Sequence, residues 1–392
     1  MSIKQFSLSG LLLIVLNANC HTQISTRISG NIEIKEGWKP MVYLIKPNSF
    51  REIASSYSGT VIDSARVDHA GNFSFNDLPE STVGPLLEIC VQKTGGRFNN
   101  LLIEEDLLYA NYMPVYTGNG SNLKIKAVSD QFQSSYSLVN PDPVNEALLQ
   151  LRDIRHKAFL NKTAGDQMEE EAVLEKEDAL KVFQEPLIQF ADTCSNVYPA
   201  LVAIRWVSPV GDYERLPEFV YRQCEKWSAS DKENAFVPQL CQMADPAKLP
   251  LMIGHVAPDY PMPMENGDTL PLHSLLGKRL TILDIWASWC APCRKENRAI
   301  LKPLWESYSE AGLNIIGYSI DASAGAWKAA IKKDEATWAH ASHLSGDSTP
   351  FMEKLNISTI PANFLLDAEG KVIAKNLHGE ALAAFVLEYM AQ

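Results

Sequence analysis

Apolar and polar positions alternate with a period of two through residues 24–130. Ile28-Ser29-Gly30-Asn31-Ile32-Glu33-Ile34, Asn72-Phe73-Ser74-Phe75 and Leu123-Lys124-Ile125-Lys126 carry the alternation most clearly, and residues 41–45, 61–62 and 86–91 add short runs rich in β-branched side chains. Successive side chains of an extended strand point to opposite faces, so each such segment buries one face and wets the other. Turn clusters such as Asp68-His69-Ala70-Gly71 and Gly118-Asn119-Gly120 separate the runs. Together they predict a small antiparallel β-sandwich or barrel.

Over residues 143–249 the period becomes helical. Leu148, Leu151 and Ile154 share one face, Leu180, Phe183, Leu187 and Phe190 share another, and the charged run 168–178 reads as a solvated helix surface. Residues 253–392 then mix the two patterns. An apolar strand at 280–286 leads into a helix over 294–310 with Ile300, Leu304 and Tyr308 at helical spacing. A second strand at 313–320 and a second helix at 323–333 follow. Segments 363–366 and 372–374 flank the turn Asp367-Ala368-Glu369-Gly370 as a hairpin, and a last helix spans 380–390. A parallel βαβ unit feeding a hairpin and a closing helix is an α/β layer fold.

Length agrees with this three-part division, since 392 residues at roughly 150 per domain make two or three domains. The hydrophobic fraction of 46% and charged fraction of 21% are those of a globular chain. A formal net charge of -12, with no basic stripe, argues against nucleic acid as a partner, because phosphate neutralisation needs clustered Lys and Arg. Seven cysteines are too few for a disulfide scaffold.

The N-terminus has the layout of a secretory signal peptide over residues 1–20: Lys4, an apolar run at 8–16, then Asn17-Ala18-Asn19-Cys20. Cleavage after Cys20 suits the small-residue rule. The alternative is lipoprotein anchoring through Cys20, from which Asn17 and Asn19 depart. Either way the mature chain begins near His21 in the periplasm or cell envelope, and no other segment is long and apolar enough to span a bilayer.

The chemistry lies in Trp289-Cys290-Ala291-Pro292-Cys293, between an apolar strand and a helix. A cysteine at a helix N-terminus meets free backbone N–H groups and the positive end of the dipole, which stabilise the thiolate that acts as nucleophile. Two intervening residues bring Cys293 one turn along, able to close a disulfide with Cys290. Pro292 suits the first turn, where its missing N–H is no loss. Cys290 is therefore the expected attacking cysteine and Cys293 the resolving one. Structural zinc would need two more ligands, and His340 and His343 offer no second knuckle and read as surface or turn residues; no metal is expected. Asp284, inside the apolar run 280–286, is expected to have a raised pKa and to serve as base for Cys293. Glu296 either shares that task or favours the helix N-terminus electrostatically. Arg294 and Lys295 read as surface charges.

Residues 285–296, with Gly254-His255-Val256-Ala257-Pro258-Asp259 upstream and Ile360-Pro361-Ala362-Asn363-Phe364-Leu365-Leu366-Asp367 downstream, resemble the TlpA-like periplasmic thiol–disulfide oxidoreductases of the thioredoxin superfamily. The likeness spans about residues 253–392. It implies a C-terminal thioredoxin-like fold behind a β-sandwich-like domain (24–130) and a helical region (143–249), a layout similar to multidomain versions common in Bacteroidetes. It also implies an extracytoplasmic reductant, some relatives serving cytochrome c maturation, with Cys290, Cys293, Asp284, Glu296 and Pro361 matching the family's working positions. In that fold the proline at Pro361 takes the cis form and turns the Ile360 backbone toward an extended substrate. Trp289, Pro292, Ile360 and Pro361 are then the expected substrate contacts. The implied partners are a disulfide-containing protein and a membrane or periplasmic thiol electron donor, without cofactor. Ala291-Pro292 supplies no cation to the thiolate, which favours reduction or exchange over oxidation. Two rivals remain. A peroxiredoxin-like peroxidase expects Pro and Thr or Ser seven and three residues before its cysteine, where Leu283 and Ala287 stand. A non-catalytic partner-binding scaffold leaves the intact Cys290, Cys293 and Pro361 unexplained. Cys224 and Cys241 can pair, but Cys90, Cys194, Cys224 and Cys241 allow three complete connectivities and are left unassigned.

Overall fold

The computed structural model describes residues 26–78, 85–103, 106–118, 122–163 and 173–392; the expected leader at 1–20, Asn119 and Gly120 of the expected turn, and residues 168–172 of the charged run lie outside the described residues. The N-terminal part holds strands β1 (Thr26–Glu33), β2 (Trp38–Lys46), β3 (Thr60–Arg66), β4 (Asn72–Leu78), β5 (Leu86–Lys93), β6 (Tyr112–Tyr116), β7 (Asn122–Val128) and β8 (Ser137–Leu138). They form two sheets, ordered β4-β1-β7-β8 and β3-β2-β5-β6. The alternation in β7 is read out faithfully, with Leu123, Ile125 and Ala127 buried between exposed neighbours. One pairing departs from the antiparallel expectation: β1 runs parallel to β7, Gly30 beside Ile125. Alternation fixes which face is buried but carries no information on a neighbour's direction. At this contact only glycine fits, since a Cβ on Gly30 would stand 2.3 Å from the Ile125 carbonyl oxygen.

A short α1 (Phe132–Ser135) leads to α2 (Pro143–Thr163), α3 (Val173–Thr193), α4 (Val197–Val207), α5 (Pro217–Ser230) and α6 (Val237–Met243). Helix α4 is apolar nearly all round and is accordingly central, with ten of its residues buried. Leu148, Leu151, Phe183 and Leu187 are buried as the helical period predicts, but Leu180 is exposed. The sandwich and the helices share one continuous core running from Ile28 to Ala244. Polar bonds cross the same junction: Trp206 Nε1 donates to Tyr112 Oη at 2.8 Å and Arg205 Nε to the Ile53 carbonyl at 3.2 Å. Cys224 and Cys241 are disulfide-bonded, joining α5 to α6, while Cys90 and Cys194 are free thiols.

A second core, from Ala257 to Met390, belongs to the C-terminal part. Its strands are β9 (Pro261–Pro263), β10 (Thr269–Pro271), β11 (Leu280–Trp286), β12 (Leu313–Ser319), β13 (Ala339–Ala341), β14 (Ala362–Leu366) and β15 (Val372–Lys375). Its helices are α7 (Ala291–Glu296), α8 (Lys302–Tyr308), α9 (Ala324–Asp334), α10 (Pro350–Leu355) and α11 (Gly379–Ala391). Five strands form a thioredoxin-like sheet in the order β13-β12-β11-β14-β15, with β11 parallel to β12 and antiparallel to β14. Every residue of β11 is buried, as its unbroken apolar pattern predicts. The helix expected over 294–310 starts at Ala291 and contains a π turn, Asn297–Leu301, before α8. Pro303 has no N–H to continue an α-helical ladder, and the turn before it is wound more loosely, with Lys302 N bonded to the Asn297 carbonyl.

His340 corrects the surface expectation. It is 3% exposed, packed beside Trp286 and Trp338, and burial pushes its pKa down to about 4. His343 is partly buried, its Nδ1 paired with Tyr318 Oη at 2.6 Å. Among the described residues no helix is long and apolar enough to cross a membrane.

Candidate active site

Strand β11 ends at Trp286 and delivers the chain to a tightly tied loop. Ser288 donates to the buried Asp321 twice, from its backbone N at 2.8 Å and from its Oγ at 2.6 Å, and Ser319 Oγ binds the same carboxylate at 2.7 Å. Cys290 caps α7, its Sγ accepting from Cys293 N at 3.3 Å. This is the arrangement expected from the spacing: a sulfur at a helix start, facing a free backbone donor. Cys290 and Cys293 are joined as a disulfide with Cα atoms 5.3 Å apart. Pro292 lies in the first turn, and Trp289, immediately before the pair, is 63% exposed.

Arg294 is no loose surface charge. It clasps Asp334 of α9 through Nε and through Nη2 at 2.8 Å, and Nη1 reaches the Ser288 carbonyl at 3.0 Å. Burial alone would push the Asp334 carboxyl up, but the bonds from Arg294 and Arg298 outweigh it and hold the group below its ordinary value. The loop before Cys290 and the helix after Cys293 are thereby tied to the same body. Lys295 is exposed.

Asp284 is 3% exposed on β11, paired in register with Asn363 of β14 and Gly317 of β12. Burial pushes its pKa well above the usual carboxylate range, and the neighbouring Glu296 charge adds to the rise. Glu296 is the last residue of α7, so it lies away from the helix N-terminus that one expectation gave it. Both its oxygens are held instead: Oε2 accepts from His378 Nδ1 at 2.9 Å and Oε1 from Gly379 N at 2.8 Å. His378 is itself buried, and among the described residues its Nε2 has no hydrogen-bond partner. Nothing near the cysteines in the sequence announces His378, which arrives with the start of α11.

The Ile360–Pro361 peptide bond is cis. Continuing the β11–β14 register one step past the Ile285–Ala362 pair puts Pro361 at the end of β11 from which the cysteine loop departs. The fold thus gathers Cys290, Cys293, Asp284, Glu296 and Pro361 around one strand end. A turn between α4 and α5 also reaches this place. Glu214 accepts from Ser358 N at 2.9 Å, Ser358 Oγ at 2.5 Å and Thr359 N at 3.0 Å. Arg215 donates to the Pro361 carbonyl and to Asn376 Oδ1, each at 2.7 Å. Among the described residues no cluster of His, Cys, Asp and Glu could hold a metal ion.

Comparison with known proteins finds similarity over the C-terminal part of the chain. The AhpC/TSA family model matches residues 253–375. The thiol-disulfide oxidoreductase ResA of Bacillus cereus (strain ZK / E33L) is 30% identical over 125 residues, covering 32% of this chain and 69% of that protein. The thiol:disulfide interchange protein DsbE of Pseudomonas fluorescens biotype C is 29% identical over 133 residues, covering 33% of this chain and 68% of its own. Among solved structures, a thiol-disulfide oxidoreductase from Bacteroides fragilis NCTC 9343 is 34% identical, with a TM-score of 0.32, covering 34% of this chain and 98% of that one. A thioredoxin domain from a Bacteroides vulgatus thiol-disulfide oxidoreductase is 30% identical, with a TM-score of 0.33 and coverage of 36% and 99%.

Proposed function

The chain belongs to the thioredoxin-fold thiol-disulfide oxidoreductases, and from that premise we propose that it reduces or exchanges disulfides of exported proteins through a Cys290–Cys293 cycle. The observation that carries this reading is Cys290 at the start of α7, its sulfur facing Cys293 N. In the reduced enzyme the Cys290 thiolate attacks one sulfur of the substrate disulfide. A mixed disulfide forms and one substrate thiolate leaves. Cys293, losing its proton to Asp284, attacks the Cys290 sulfur, which closes the internal disulfide and expels the second substrate thiolate. Two electrons pass to the substrate; of its two thiolates one takes the proton that Asp284 received from Cys293 and the other takes one from solvent, where the Cys290 proton was released. A membrane or periplasmic dithiol donor returns the enzyme to its reduced form by the reverse exchange.

Glu296 holds negative charge against Asp284 and so keeps that carboxyl a stronger base once ionised. Trp289, Pro292 and Ile360 form the contact surface for the substrate, with cis Pro361 setting the direction of the Ile360 backbone. The apolar leader at 1–20 and the Cys224–Cys241 disulfide both support an oxidising compartment outside the cytoplasm. Leu283 and Ala287, where a peroxidatic site requires proline and a hydroxyl, speak against peroxide as substrate even though the matching family model is AhpC/TSA.

Trapping with Cys293→Ser tests the assignment of the two cysteines. The variant is expected to accumulate mixed disulfides through Cys290 that resolve in wild type, read by non-reducing gels and mass spectrometry. No adduct, under conditions where wild type turns over, would remove Cys290 and Cys293 from these roles.

A further inference from the structure

The turn between α4 and α5 belongs to the larger core yet grips the cis-proline loop of the other. Its own geometry is fixed from behind. Tyr213, buried, donates from Oη to the Ile204 carbonyl at 3.0 Å, and Leu216 N closes the turn on the Tyr213 carbonyl at 2.9 Å. One residue further into α5, Glu218 accepts from Ile253 N at 2.9 Å and from the buried Lys375 at 2.8 Å. Glu214, Arg215 and Glu218 thus fasten one short turn to the cis-proline loop, the end of β15 and the connecting segment.

The bonds fall on particular backbone groups. A substrate strand laid along Ile360 would pair with the Ile360 N–H and C=O, then with groups of alternate residues along the same edge, of which Ser358 N–H is the next toward the N-terminus. Glu214 already holds that N–H and its Thr359 neighbour. On the other flank Arg215 holds the Pro361 carbonyl. Among the described residues no partner bonds the Ile360 N–H or C=O.

Resting on the oxidoreductase reading above, we propose that Glu214 and Arg215 are specificity-determining positioning residues. Glu214 shortens the substrate-pairing edge by occupying the Ser358 N–H, and Arg215 fixes the cis-proline loop through the Pro361 carbonyl. The site then favours protein disulfides whose cysteine lies at a chain end or in a tight turn, where a single residue can reach Ile360. Disulfides in the middle of a long extended segment lose the ladder bonds such a strand would otherwise make. Through the same clamp the α4–α5 turn of the helical region forms a wall beside the cis-proline loop.

Two mixed disulfides of one ten-residue peptide with a small thiol test this on the full chain, one with cysteine at the peptide's terminus and one with cysteine at its centre. Wild type is expected to reduce the terminal form with kcat/KM about five-fold or more above the central form, because only the central segment brings a backbone carbonyl against the occupied Ser358 N–H and leaves it unpaired. Equal values overturn the proposal without any variant being made. In Glu214→Ala the freed amides are expected to bring the ratio toward one, with the change in KM for the central peptide and little in kcat. An unchanged ratio, or a parallel loss on both peptides, assigns Glu214 a merely structural role and overturns the proposal. If wild type reduces neither peptide, or Cys290→Ser reduces both as wild type does, the oxidoreductase reading fails instead.

Discussion

Asp284 is a carboxyl placed where water does not reach it, and its titration has a definite sign. The folded chain holds its proton to a pH well above the ordinary 3.8, so across that interval the native state binds more protons than the unfolded one. Stability contributed at this site therefore falls as pH rises from about 3.8 through the raised folded value. Asp284→Asn is expected to gain stability over wild type as pH rises above about 3.8, with the gain levelling off once the folded carboxyl has ionised, while closing its internal disulfide about a hundred-fold more slowly. Chemical denaturation across pH and quenched-flow alkylation measure the two effects; a variant no more stable than wild type at pH 8 would contradict the burial argument. Cys290, Cys293 and Asp284 are legible in the sequence because they sit on one strand and the turn it feeds, where local spacing determines geometry. Glu296 is legible as a residue but not in its surroundings, since its partner His378 is 82 positions away. Arg294 was misread for the same reason: its anchor, Asp334, comes from the far end of α9. His340 was misread because its strand β13 is only three residues long and, of the two tryptophans that enclose it, Trp286 comes from β11, 54 positions earlier, though Trp338 stands two residues before it.

At the scale of elements, the periodicities located β1 to β5 and β7, the helices α2 and α3 and the βαβ–hairpin order, but not β6, β13 or α10. They missed the parallel β1–β7 pair, whose partners are brought together by a long connection rather than a turn. The contact leaves one mark in the sequence, Gly30, in a strand interior where glycine is otherwise unfavourable. With its would-be Cβ 2.3 Å from the Ile125 carbonyl oxygen, Gly30→Ala must push two backbones apart. It is expected to destabilise the larger core by about 1–3 kcal/mol, the cost of overpacking. The urea midpoint of the larger core should drop; an unchanged midpoint would mean the strands separate freely. The π turn after α7 was equally hidden, although Pro303 was its visible cause: proline forbids one hydrogen bond but does not dictate how the helix accommodates the loss.

For the whole molecule, three segments of sequence became two cores, because the β-rich and helical parts bury their apolar faces against each other through α4, Trp206 and Arg205. Composition marks where strands give way to helices but not which faces meet. Each core also carries one sulfur–sulfur bond. Cys224–Cys241 closes a separation of 17 residues, which in a chain-entropy view stabilises the larger core by about 3 kcal/mol. Cys290–Cys293 opens the helix of the redox core beside an exposed tryptophan. A thiol-disulfide oxidoreductase therefore carries, besides its CxxC disulfide, a second one in its other core. Titrating the purified chain with dithiothreitol and counting alkylated cysteines should open Cys290–Cys293 first, and Cys224–Cys241 only at a more reducing poise, below about −300 mV. Simultaneous opening would refute that separation. With that order of opening, a donor able to recharge the active site in the proposed cycle would leave the brace of the scaffold closed, and each turnover would end with the fold as it began.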